Sequence, residues 1–147
     1  MRNVNRGFTL VEILIVVVIL GILAVVVIPQ FVGASESANA SSLSQNLQLI
    51  RGQLELYQAQ HNGIYPDLVT NGWDQLKEST DSSGNTTGNS FGPYLRNEPR
   101  NSFTNSSIVI AAGPGAITDG WIYDMATGSI TAVGFNEDTT TFTPPGS

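Results

Sequence analysis

Residues 6–31 read RGFTLVEILIVVVILGILAVVVIPQF, and the reading of the whole chain turns on them. Residues 13–28 carry no charged and no strongly polar side chain. With residues 8–11 ahead of them, they approach the ~20 positions a helix needs to cross a bilayer. A soluble helix of this length would show a polar face, and this one shows none. Arg2 and Arg6 precede the run, and no Lys or Arg follows it until Arg51. The positive-inside rule then puts the N-terminus in the cytoplasm and the rest of the chain outside. A secretory signal peptide has the same order of basic and apolar segments. Here the apolar run is longer, no small-x-small site closes it, and helix-forming sequence continues beyond it.

The composition bounds the remainder. A chain of 147 residues suits one compact domain, but much of its apolar content sits in that single run. With no cysteine, a disulfide framework, thiol catalysis and cysteine-ligated metal are excluded. His61 is the only histidine, which rules out a histidine pair within one chain. The formal net charge is −6, and all 12 acids lie after residue 7. An acidic body argues against a broad nucleic-acid-binding surface.

Glu12 is the anomaly. A carboxylate at the edge of a membrane span is costly and usually has a specific partner. It can equally sit at headgroup level, favoured by the positive end of the helix dipole. Glu12 alone leaves both readings open.

Its surroundings carry more. The stretch Arg6-Gly7-Phe8-Thr9-Leu10-Val11-Glu12 and the apolar run to Pro29 closely resemble the class III signal of type IV prepilins and pseudopilins. The resemblance covers roughly residues 1–35. It implies that a membrane peptidase cuts between Gly7 and Phe8 and methylates the new amine of Phe8. Cleavage then precedes the apolar run, which is kept as an anchor. The resemblance also gives Glu12 a role in assembly. The amine of an incoming subunit would pair with the Glu12 carboxylate of a neighbour, offsetting the desolvation of both charges. Gly21 and Pro29 both weaken a helix interior. By the same resemblance, the interval between them is a segment that loses helicity inside a filament.

Beyond Phe31, Leu43, Leu47, Ile50, Leu54 and Tyr57 recur at alternating spacings of four and three. This is an amphipathic stripe, widened by Leu49 and Leu56, and it needs a partner surface. A helix from Phe8 to about Gln60 would be about 80 Å long. His61-Asn62-Gly63 ends it, with Gly63 as a left-handed cap and Pro66 blocking its resumption. His61 reads as an ordinary helix-end residue. The tract Asn62-Gly63-Ile64-Tyr65-Pro66 resembles the N-G-x-Y-P corner of pilins and pseudopilins.

Residues 73–76 suggest a short helix, and residues 79–90 a mobile polar surface loop. Asp81 and Asn85 could ligate calcium, but no EF-hand spacing supports it. The stretch Phe91-Gly92-Pro93-Tyr94-Leu95 through Pro99-Arg100-Asn101 resembles the G-P-Y-L…P-x-D/N corner of major pseudopilins of type II secretion systems. Its physical content is a turn pinned to the core by Tyr94 and Leu95. Arg96 and Arg100 read as solvated corner residues. Three strands follow, at 107–112, 120–124 and 128–135, the last two joined by the turn Met125-Ala126-Thr127-Gly128. Trp121 and Tyr123 read as core. The expected fold is α+β and type IV pilin-like. A long N-terminal helix, transmembrane in its first half and amphipathic in its second, packs on a small antiparallel sheet. The expected divisions are a leader at 1–7, a transmembrane assembly helix at 8–31, an amphipathic helix at 32–62, and loops with the sheet at 63–147.

The resemblance implies a structural subunit of a type IV pilus-like filament, first as a major pseudopilin of a type II secretion system that drives protein export. A type IV pilin of an adhesion, motility or DNA-uptake pilus is the alternative. A signal-anchored periplasmic binding protein or enzyme is the reading from a different class. No Ser/His/Asp arrangement, phosphate loop or carboxylate pair with a cleft supports an enzyme. The implied partners are further copies of the chain, minor pilins or pseudopilins, a prepilin peptidase, a platform protein and an assembly ATPase. The implied location is the bacterial inner membrane, with a periplasmic head, and then a filament. Major pseudopilins carry a calcium-binding C-terminal loop rich in Asp and Gly. Here only Asp119, Asp124, Glu137 and Asp138 stand in that region, so no metal site or cofactor is expected.

Overall fold

A computed structural model describes residues 8–146. Helix α1 spans Leu10–Gln60. The chain forms two compact units, Met1–Ser37 and Ala38–Ser147. In the first unit α1 is long and apolar enough to cross a membrane, and that stretch buries nothing against the chain itself. Side chains from Ile13 to Ile28 are exposed around the whole helix circumference. Such a surface is stable only in lipid or against other apolar helices.

In the second unit the four-three stripe does what its spacing dictates. Leu43, Leu47, Ile50, Leu54 and Tyr57 are all buried, and His61 continues the same face one turn later, but Leu49 and Leu56 do not widen the stripe as expected: they stand exposed on the opposite side of the helix. Each such aliphatic side chain contributes roughly 1.5–3 kcal/mol on burial. Asn62 turns left-handed at φ 56° and Gly63 follows at φ 83°, and the Gly63 N–H donates to Gln58 O at 2.9 Å, a Schellman closure whose cap is Asn62, one residue before the expected Gly63.

Two one-turn helices follow, α2 at Leu68–Asn71 and α3 at Asp74–Lys77. The first was not legible in the sequence. It starts at Asp67, whose carboxylate accepts from Thr70 N. The strands are β1 (Val109–Ile110), β2 (Trp121–Asp124), β3 (Ser129–Ala132), β4 (Phe135–Asn136) and β5 (Thr141–Phe142). Trp121, Tyr123, Ile130 and Ala132 turn inward and join the α1 stripe in one core with Leu68, Trp73, Leu76, Leu95 and Val109. The rings of Trp73 and Trp121 meet edge to face, 6.2 Å between centroids. The polar ends are satisfied too. Trp73 Nε1 donates to Ser107 O, Trp121 Nε1 to Pro99 O and Tyr123 OH to Pro66 O.

The sheet differs from the expected one in two ways. Its order is β1-β2-β3, and β2 and β3 form the expected antiparallel hairpin, but β1 runs parallel to β2. Residues 111–120 return the chain to the same end of the sheet, as a parallel pair requires. Gly115 lets this connection close down: its φ is 74°, and any Cβ there would collide with Val133. The expected third strand also ends early. Val133 is buried, Gly134 turns at φ 72°, and Phe135 enters a separate hairpin with Phe142 opposite it. Thr141 and Phe142, from the Thr-rich stretch near the C-terminus, supply that second strand.

Candidate functional site

The proposed processing and assembly residues lie at the start of α1. Gly7 falls outside the described residues. Phe8 is 85 % exposed, just ahead of the helix. Glu12 sits in the first turn, and its Oε2 accepts from Thr9 N at 2.9 Å and Thr9 Oγ1 at 2.8 Å. Glu12 N in turn donates to Thr9 Oγ1 at 3.2 Å. This is a capping box, which satisfies two donors the helix start would otherwise leave bare. The spacing T-x-x-E was available in the sequence and signals it. Among the described residues no hydrogen bond reaches Glu12 Oε1. One carboxylate oxygen thus holds the helix start. Gly21 lies within α1 with open space where a Cβ would be. The backbone at Pro29 is part of the same helix.

In the head, the candidate calcium ligands are dispersed among local partners. Asp119 accepts from Ala116 N, and Asp124 from Ala126 N and Thr127 Oγ1. Glu137 is paired with Arg51. Asp81 accepts from Ser83 N, Asn85 N and Asn85 Nδ2, and the Asn85 bonds first among these hold its carboxyl below its ordinary pKa. Among the described residues no three His, Asp or Glu side chains group as a metal would need. Arg100 donates to Asn105 O, and Arg96 is exposed.

Two readings need correction. His61 is at the helix end but is not an ordinary surface residue; it is 1 % exposed. Its ring stacks on Tyr57 at 3.7 Å, Nδ1 meets Tyr57 O at 2.8 Å, and Nε2 meets Thr80 Oγ1 at 2.9 Å. Nor do residues 79–90 form a free polar loop. Thr80 is buried and pairs with Phe91, Gly84 O accepts from Gln75 Nε2, and Gly84 packs on the Tyr57 hydroxyl end. Burial pushes the Tyr57 phenol up to about 12. These contacts fold the loop over the end of α1. The corner beside it is pinned as expected. Tyr94 N and Leu95 N both donate to Leu76 O, and Tyr94 OH donates to Gln60 Oε1 at 2.6 Å.

Asn101 ends the corner and is fully buried. Its Nδ2 donates to Gly120 O and Val133 O, both at 3.1 Å, and its Oδ1 accepts from Phe103 N and Thr104 N. One side chain therefore stitches the corner to the sheet.

An N-terminal apolar helix with a boxed Glu12, and a head with this corner, can be compared with known proteins. The family model described as "Prokaryotic N-terminal methylation motif" matches residues 2–28. The type II secretion system core protein G of Klebsiella pneumoniae is 31% identical over 109 residues, 74% of this chain and 76% of that protein. That of Pseudomonas aeruginosa is 32% identical over 112 residues, 76% of this chain and 78% of that protein. The chain belongs to the type II secretion system core protein G family. It is a major pseudopilin, a pilin-like subunit with an N-terminal membrane anchor. The core protein G of Escherichia coli strain K12 is 28% identical over 74% of each chain. No solved structure matches this pseudopilin. The similarity to these relatives runs well past the 27 matched N-terminal residues into the head, and it favours secretion over the adhesive-pilus alternative.

Proposed function

We propose that this pseudopilin is cut between Gly7 and Phe8, methylated at Phe8, and built into a periplasmic filament that drives protein export. It waits in the inner membrane on α1, N-terminus inside and head outside, and acts as a structural subunit without catalysis or cofactor. A prepilin peptidase processes it. A platform protein, an assembly ATPase and minor pseudopilins serve its assembly. The fully exposed apolar surface of α1 is the observation that carries this reading, because lipid and a bundle of like helices are the two environments that suit it. The anchor and the assembly helix are then one element. Unwinding between Gly21 and Pro29 would let that element adjust to its neighbours in the filament.

The head half of α1 supports the same reading. Its face opposite the core carries Gln45, Leu49, Gly52, Leu56 and Ala59, with no charge, and Leu49 and Leu56 are 52% and 45% exposed. We assign this face to the α1 of a second copy, continuing the apolar contact of the anchor. The double variant Leu49→Glu with Leu56→Glu should insert and be processed normally, since neither side chain touches the core. Sheared filament from cells with the secretion machinery should fall at least about tenfold, the equivalent of ~1.4 kcal/mol per subunit added. Filament recovery at the wild-type level would overturn the assignment.

A further inference from the structure

We propose that Arg51 is the built-in structural cation of the head, closing the β4–β5 hairpin onto α1 and the sheet so that no divalent ion is needed for this closure. Two neighbouring segments of the C-terminal half, β3 and the β4–β5 turn, meet one guanidinium from α1, 79 and 86 residues earlier in the chain. Arg51 belongs to α1, directly after buried Ile50. Its Nη1 donates to Glu137 Oε2 at 2.8 Å and its Nη2 to Glu137 Oε1 at 2.6 Å, a two-pronged pair. Nη2 also donates to Ile130 O on β3 at 2.8 Å. The fork thus reaches a carboxylate in the hairpin turn and a carbonyl in the sheet from a fixed base on the helix. A carboxylate and a carbonyl are the oxygen ligands a calcium ion would gather. Here the guanidinium already occupies them.

The rest of the hairpin is built to rely on this anchor. It lies outside the three-stranded sheet and leaves it at Gly134. Its inner side is held by the Phe142 ring stacked on Phe103 at 4.5 Å and 3° between planes, with Phe135 at 6.1 Å. Thr143 N closes the base on Gly134 O at 2.7 Å. Between this hairpin and Ile122 and Thr131 of the sheet lies an open cleft, with Asn136 and Asp138 on its wall. A divalent ion entering there would meet Asp138 with Glu137 already engaged, and Asn136 Oδ1 accepting from Asp138 N and Thr139 N. The pair is reflected in its protonation too. Hydrogen bonding to Arg51 holds the Glu137 carboxyl below its ordinary value, and the same bond raises Arg51. Lysine could not replace this arrangement, because a single ammonium lacks the fork that reaches both oxygens of Glu137 and Ile130 O together.

The test uses the full-length protein in detergent, followed by circular dichroism melting and limited proteolysis. The head should melt at the same temperature in millimolar calcium and in EDTA. Arg51→Lys and Glu137→Gln should each lower the melting temperature by about 3–6 °C. Both should open cleavage after residue 134 while the core remains resistant. The swap Arg51→Glu with Glu137→Arg should recover part of the loss, which damage to helix packing alone would not allow. A calcium-dependent rise in wild-type melting of that size would overturn the proposal. So would unchanged melting and hairpin protection in both single variants.

Discussion

Glu12→Gln is expected to insert, to be processed and to fail in assembly. Glutamine retains an oxygen that can accept from Thr9, so the capping box that Glu12 Oε2 now forms is preserved. What it removes is the negative charge available to the amine of a neighbouring Phe8. An unpaired ammonium left in an apolar medium costs several kcal/mol. Taken as ~3 kcal/mol, that is a loss of on the order of a hundredfold in subunit addition. Glu12→Ala should fail in the same way, with the cap lost as well, worth a further ~0.5–2 kcal/mol of helix start. Thr9→Ala separates the two roles, because it breaks the box and keeps the carboxylate. Its filament yield should stay well above that of Glu12→Gln. Wild-type filament yield from Glu12→Gln would show that the carboxylate serves the helix start alone.

The largest effect on the head is expected from Asn101→Asp. The substitution keeps the acceptor used by Phe103 N and Thr104 N but removes both donors to Gly120 O and Val133 O. It places a carboxylate against two carbonyl oxygens at a fully buried site. A buried charge without a partner costs ~3–5 kcal/mol. For a head of this size the melting temperature should drop by on the order of 10 °C or more. Asn101→Ala removes the same side-chain bonds but introduces no charge, and Gly120 O keeps its bond from Val133 N. It should be milder than Asn101→Asp. A melting temperature within about 2 °C of wild type for Asn101→Asp would remove Asn101 from the account of how the corner is held.

The parts of this fold legible in the sequence are those written in short-range pattern. The α1 stripe shows because buried Leu43, Leu47, Ile50, Leu54 and Tyr57 repeat with the helix period. The helix stop shows because Gly63 adopts a conformation that favours glycine. The β2–β3 hairpin shows because Gly128 and the Asp124 side chain shape its turn. The direction of β1 does not show, since two paired residues carry no sign of which way they run. The β4–β5 hairpin is hidden for a related reason. Its strands are two residues each, and Phe103, distant in sequence, completes their packing. His61 extends the α1 stripe by one turn, so its burial follows the helix period, but Thr80, which meets it, has no local pattern that calls for burial. At the N-terminus the position of Glu12 was evident from its place beside the apolar run. Its bond to Thr9 was equally readable from the T-x-x-E spacing.

Processing ahead of the apolar run is the step on which anchoring, the Phe8 amine and the Glu12 pairing all depend. Intact mass and N-terminal sequence of the protein isolated from its native membrane test it most directly. The account predicts a chain that begins at methylated Phe8 and retains the whole of α1. A chain that begins at Met1, or one cut beyond Ile28, would contradict it.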